Sequence, residues 1–388
     1  MARARRAPPK EGDLQHWKLL ETFQQVLAGV VAQQGLAPTW QDPQRLLTHG
    51  QYLSLALFGL LNPVVQTMRG LCAASQLGRV QDEICGRSVS LGSFSEAQHL
   101  VEPALLAAVF AELSAQVPAT GDPRLAQRPW QIVDSTLWEA LPRMQWALWR
   151  SQGRQQQAVR LHVGYHLREQ TVGQATVTAG RRCERAVWRE QWRAGDCYVG
   201  DRNYGEDYGI FEQLTQRGCA FVLRLRENAV VRAVEQELAL SAADQAAQVQ
   251  RQAWVRLGGR GPGVRVRVVW VQTPRELLWL VTNVPETELP GELVAQLYRC
   301  RWQVELFFRW IKCILGNRHW LAESAAGVSQ QLYLTLIAAV LLQLYTGRRP
   351  RRRTLELIQW YQLGWASAEE LQRHLAAEQR RVAVTIQS

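Results

Sequence analysis

The chain has 388 residues, 47% of them apolar, a formal charge of +11 and a pI of about 9.7. That is enough apolar material for a large core in two or three domains, and seven dispersed cysteines with no CxxC pair argue against a zinc site or a disulfide framework and for a reducing cytoplasm. Most of the positive charge is arginine, which binds phosphate bidentately and stacks on flat rings, so a polyanionic partner is favoured.

Residues 1–12 read as a disordered basic tail with no apolar signal core after it. From 13 to 120 the apolar residues recur at helical spacing, with breaks expected at Pro38, Gly50, Pro63 and 86–95. Ser93 and Ser95 offer caps for a run over 96–117 that Pro103 divides. The apolar runs 53–61 and 332–344 are too short to span a bilayer, so no membrane partner is expected.

The pattern changes over 125–228. A short strand over 130–133 ends at Asp134, strands over 158–167 and 171–178 form an antiparallel hairpin, and a helix covers 183–192. A strand over 196–199 ends at Gly200-Asp201, followed by a helix over 210–217 and a strand over 220–225. This order predicts an α/β fold with a mixed sheet. Residues 229–289 read as a β-rich inserted subdomain, with a helix over 230–249 and strands over 253–257, 264–271 and 277–284. The core resumes over 290–346. Residues 347–388 carry a basic loop, whose arginines 348–353 suit phosphate, and an amphipathic helix near 368–376.

The stretch YRCRWQVELFFRWIK begins at Tyr298 and has neither proline nor glycine. As one helix it sets Tyr298, Arg301, Glu305 and Lys312 on a stripe roughly 60° wide. A carboxylate flanked by two cations and a phenol suits a metal ion beside a phosphate. A solvated face of i,i+4 ion pairs is the plainer alternative. Asp134 and Asp201, singly, could be turn caps. Side by side on adjacent strands with Glu305 brought in by a helix, the three would repel unless two Mg²⁺ ions, roughly 3.5–4 Å apart, sat between them.

These residues together resemble a DDE transposase of bacterial insertion sequences, in the insertion-sequence-4-like group. Tyr298, Arg301, Glu305 and Lys312 match that group's Y-(2)-R-(3)-E-(6)-K at every spacing. Asp201-Arg202-Asn203-Tyr204 resembles its second-aspartate block, with Asn203 in place of the usual glycine, and Asp134-Ser135-Thr136 resembles the first. Arg160-Leu161-His162 resembles a K-x-H segment, with His162 read as structural.

The resemblance implies an RNase H-like catalytic core with a β-rich insertion and a helical DNA-binding region ahead of it. It implies Asp134, Asp201 and Glu305 as catalytic ligands of two Mg²⁺ ions, with Mn²⁺ able to substitute. Tyr298, Arg301, Lys312 and Arg202 would contact DNA, and Trp302 or Trp279 would stack on a flipped base. The implied partners are double-stranded DNA with terminal inverted repeats, target DNA and a second copy of the chain, in the cytoplasm at the nucleoid. The implied activity is nicking and strand transfer at the ends of a mobile element. Two other readings stand beside it: an inactive DNA-binding descendant, and an RNase H-like nuclease that cuts without joining.

Overall fold

The computed structural model describes residues 18–65, 67–151, 154–258, 263–314 and 320–387. It divides into two units, residues 1–118 with 309–388, and residues 119–308. The first unit opens with helices α1 (Lys18–Gln34), α2 (His49–Leu61), α3 (Met68–Ala74), α4 (Gly78–Val80, running on into a π turn), α5 (Leu91–Leu100) and α6 (Pro103–Ala115). Gly50 does not break the chain here. Thr48 caps α2 in a reciprocal box with Gln51, which places Gly50 inside the first turn. Ser90, not Ser93 or Ser95, caps α5 by accepting from the Ser93 amide. Pro103 opens α6, where its missing N–H costs nothing.

The second unit is built on strands β1 (Trp130–Glu139), β2 (Leu148–Ser151), β3 (Arg154–His166), β4 (Thr171–Ala179), β5 (Cys197–Gly200), β6 (Ala220–Arg224), β7 (Val231–Glu237), β8 (Val249–Leu257), β9 (Val264–Gln272) and β10 (Leu277–Thr282). Its helices are α7 (Glu184–Glu190), α8 (Tyr208–Gln216), α9 (Ala242–Ala246), α10 (Gly291–Cys300) and the start of α11 (Trp302–Ile314). The strands form one sheet in the order β2-β3-β1-β5-β6-β10-β9-β8-β7, with β4 also on β3. Strands β1, β5 and β6 are parallel, and every other neighbouring pair is antiparallel. Trp188, Tyr204, Phe211, Phe221 and Trp270 belong to a buried apolar cluster on this sheet.

Three local expectations change. Asp134 is not the end of β1, which runs on to Glu139 along β3; only the pairing with β5 stops beside it. Residues 231–237 form an edge strand and only Ala242–Ala246 is helix. The Ala/Gln/Glu composition there favours helix, but pairing with β8 and cross-strand bonds of Glu235 to Arg265 and Glu237 to Arg251 override it. The Tyr298 stretch is two helices, because the chain turns at Arg301 through i→i+3 bonds from Arg301 to Tyr298 and from Val304 to Arg301. No proline or glycine marks that joint.

Helix α10 starts against the inserted segment. Asp244 caps α9 through Ser241, and its other oxygen accepts from the Glu292 amide at 2.8 Å. Gly291 permits this approach, since a Cβ there would lie 2.6 Å from that oxygen.

The chain then returns to the first unit as the end of α11, α12 (Ala325–Thr346), α13 (Arg352–Gln362) and α14 (Ala368–Gln387). The 332–344 run belongs to a 22-residue helix, long and apolar enough to cross a bilayer, yet 83% of its apolar window is buried among its neighbours. Its Gln330 accepts from the Tyr52 hydroxyl and donates to the carbonyls of Gln98 and Val101, which holds it in the core. The basic run 347–353 includes the first turn of α13, a helix not anticipated from the sequence.

Candidate active site

The parallel pairing of β1 and β5 ends at Val133 beside Gly200. The next residue along each chain segment is an aspartate, so Asp134, still within β1, and Asp201, just past β5, come side by side where this pairing ends. Gly200 keeps the second turn tight: a Cβ there would lie 2.8 Å from the Leu223 side chain. Arg301 brings in the third acid. Its guanidinium is 2.7 Å from Glu305 and 3.8 Å from Asp134.

Asp134 is mostly buried, and its carboxyl is pushed up to about 6. Burial is the main cause, with Asp201 and Glu305 adding like-charge repulsion; the Ser135 amide and Arg301 oppose it. Arg301 is held above its usual range. Burial works against its charge, but the Glu305 hydrogen bond, Tyr298 and Asp134 prevail. This is a cluster of acids with a fixed cation in its midst. Among the described residues no three acidic, histidine or cysteine side chains are gathered to the spacing of a metal site. The guanidinium between Asp134 and Glu305 balances the charge instead.

Tyr298 lies largely buried with its phenol raised by burial, and Arg224 at the end of β6 donates to it. Arg224 also pairs with Glu276. Trp302 is 48% exposed at the start of α11. Arg202 is exposed on the turn after Asp201. Lys312 follows Glu305 by seven residues on α11, in the part of that helix assigned to the first unit, and burial lowers its ammonium. Trp279 packs edge-on against Trp270 at the sheet core. His162 bonds Thr178, and burial lowers it to about 4, so it is neutral and structural.

Sequence reasoning did not find Glu184 or Arg224. Glu184 opens α7, where an acidic first-turn residue is ordinary, and Arg224 is one arginine among many. Asn203, in place of the usual glycine of that block, has no left-handed backbone: the positive-φ non-glycine residues among those described are Gln170 and Gln248. Its amide instead donates to Glu184.

The transposase DDE domain family model matches residues 126–341, more than half of the chain. The chain therefore belongs to the DDE-domain transposase family. It is 30% identical over 174 residues to a Sinorhizobium fredii protein, "Putative transposase y4zB", covering 44% of this chain and 48% of that one. It is 26% identical over 220 residues, 56% of either chain, to the "Probable transposase for insertion sequence element IS5377" of Geobacillus stearothermophilus. The chain thus spans about half the length of the curated relatives it matches. A solved piggyBac transposase synaptic complex with hairpin DNA is similar at a TM-score of 0.45 and 10% identity, covering 96% of this chain and 87% of that one.

Proposed function

We propose that the chain is a metal-dependent transposase that binds the terminal inverted repeats of an insertion sequence and cuts and joins DNA strands there. The carrying observation is the register that sets Asp134 beside Asp201, with Arg301 tying Asp134 to Glu305. The strand order β4-β3-β1-β5-β6, with β1 antiparallel to β3 and parallel to β5, supports an RNase H-like core. Family membership points the same way.

The chemistry of the donor set suits a hard divalent cation: three carboxylates, one of them raised chiefly by burial and further by its neighbours' charge. Asp134, Asp201 and Glu305 would hold two Mg²⁺ or Mn²⁺ ions, which supply an activated water and stabilise the leaving oxygen of a phosphodiester. The chain's other groups hold the substrate. Tyr298 stays a phenol at neutral pH and donates to a phosphate oxygen, while Arg224 fixes its hydroxyl. Arg301 exchanges its carboxylate partners for a phosphate, and Arg202 and Lys312 each offer a further cation to the DNA. Trp302 offers an exposed ring for base stacking. The helices before Asp134 read the terminal repeats, a dimer brings two ends together, and the site of action is the bacterial nucleoid.

The test incubates protein, Mg²⁺ and DNA bearing the flanking inverted repeats. Wild type is expected to cleave and join the ends, and Glu305→Gln to bind them only. Equal activity in both would remove Glu305 from the mechanism. Cutting without joining by the wild type would instead favour a nuclease.

A further inference from the structure

One carboxylate outside the acidic triad touches the segments that carry both aspartates. Glu184 Oε1 accepts from the Ser135 hydroxyl at 2.7 Å and from the Arg160 guanidinium, and Oε2 accepts from the Asn203 amide at 2.7 Å. Arg160 also donates to the Ser135 hydroxyl at 2.9 Å. Ser135 directly follows Asp134, and its amide donates to the Asp134 carboxylate at 2.8 Å. Asn203 lies two residues beyond Asp201, and its amide N–H donates to the Asp201 carboxylate at 2.9 Å. The path Asp134–Ser135–Glu184–Asn203–Asp201 is thus a continuous hydrogen-bonded brace between β1 and the turn after β5. The Glu184 side chain is 22% exposed and that of Arg160 13%, so the brace is largely sheltered from water.

We infer that Glu184 is a positioning residue that fixes the separation and orientation of Asp134 and Asp201. This rests on the reading of those aspartates as metal-holding groups. The physical need is plain. Ladder bonds between β1 and β5 stop at Val133 and Gly200, one residue short of both acids. Beyond that point the two carboxylates repel; β1 stays paired with β3, but the turn that carries Asp201 has left the sheet and is free to splay away from it. A single acceptor reached from both strand β1 and that turn opposes the splaying. The Arg160 guanidinium compensates the added negative charge without entering the acidic cluster. Three donors converge on Glu184, so a glutamine there can satisfy only part of them: its amide nitrogen must face one donor. Outer partners that orient ligating carboxylates typically change metal affinity by about 10–100-fold when removed.

The experiment measures Mn²⁺ binding by electron paramagnetic resonance in the full chain without DNA, beside thermal melting without metal. Glu184→Gln is expected to weaken Mn²⁺ binding about tenfold or more. Asn203→Ala and Ser135→Ala each remove one arm and are expected to weaken it less. The double variant Glu184→Gln/Asn203→Ala is expected to be no weaker than Glu184→Gln alone, because both break one path. A lowered melting temperature with unchanged Mn²⁺ affinity in Glu184→Gln would overturn the inference. Should Glu184→Gln fail to fold, the two single-arm variants decide it, and wild-type affinity in both would overturn it. Asp134→Asn is the control. If it too binds Mn²⁺ as the wild type does, the metal reading of Asp134 fails, and the role of Glu184 with it. If only the Glu184 arm variants match wild type, the brace alone fails.

Discussion

Arg301 lies 2.7 Å from Glu305, one helical turn apart, with Asp134 on the far side of the same guanidinium at 3.8 Å. A protein cation therefore stands where the acidic groups would otherwise repel one another. Because a guanidinium cannot deprotonate, it competes with any divalent ion at all accessible pH.

Arg301→Gln is accordingly expected to bind Mn²⁺ more tightly in the absence of DNA, by about tenfold for a change near 1.4 kcal/mol. The same variant should cleave DNA ends more slowly at saturating metal, since the phosphate contact is gone. Resonance titration of Mn²⁺ and single-turnover cleavage check the two halves. Weaker metal binding in Arg301→Gln would refute the competition.

The Asp134 carboxyl, raised to about 6, links stability to pH. An unfolded aspartate titrates near 3.9, so between about pH 4 and 6 the folded chain holds a proton that the unfolded chain has lost. Stability contributed by this group is thus present at low pH and lost as pH rises through 6. Asp134→Asn should melt higher than wild type at pH 7.5, and the gap should narrow below pH 6 and close toward pH 4. Melting curves across that range measure it; a lower melting temperature for the variant at pH 7.5 would contradict the shift. Bound metal should also raise the wild-type melting temperature at pH 7.5, and a chelator should reverse that rise.

Tyr298 and Arg224 act as one unit if the guanidinium orients the hydroxyl. Tyr298→Phe should slow end cleavage by about 10- to 100-fold. Arg224→Ala should slow it comparably, and the double variant should be little worse than either. Additive losses in single-turnover rates would show that the two contribute separately.

Asp244 closes two helix N-termini with one buried side chain. Asp244→Ala is expected to cost about 1–3 kcal/mol, read by denaturant melts. Because α10 leads to Tyr298 and Arg301, cleavage should fall as well. A variant as stable and as active as wild type would show that α10 does not depend on this cap.

The parts of the site carried by spacing were legible in the sequence. Asp201 stood just past an expected strand and Glu305 on an expected helical stretch, Asp134 fell within a strand that was expected to stop there, and β3 and β4 followed from period-two alternation. What was hidden came from tertiary demand. The turn at Arg301 has no breaker residue, so 3.6-residue periodicity ran straight through it. Strand β7 has the composition of a helix and is a strand because β8 offers it a partner. Glu184 sits nearly fifty residues from Ser135 and nineteen from Asn203, and only the fold brings it between them. Such long-range bonds leave no local pattern to read.

The central claim is that Asp134, Asp201 and Glu305 hold two divalent ions, and anomalous scattering from Mn²⁺ in crystals of the DNA-bound chain tests it most directly. Two manganese peaks among those three carboxylates, with Arg301 turned toward a phosphate, are expected. Ordered DNA ends with no manganese at those carboxylates, or with manganese held by other groups, would contradict it.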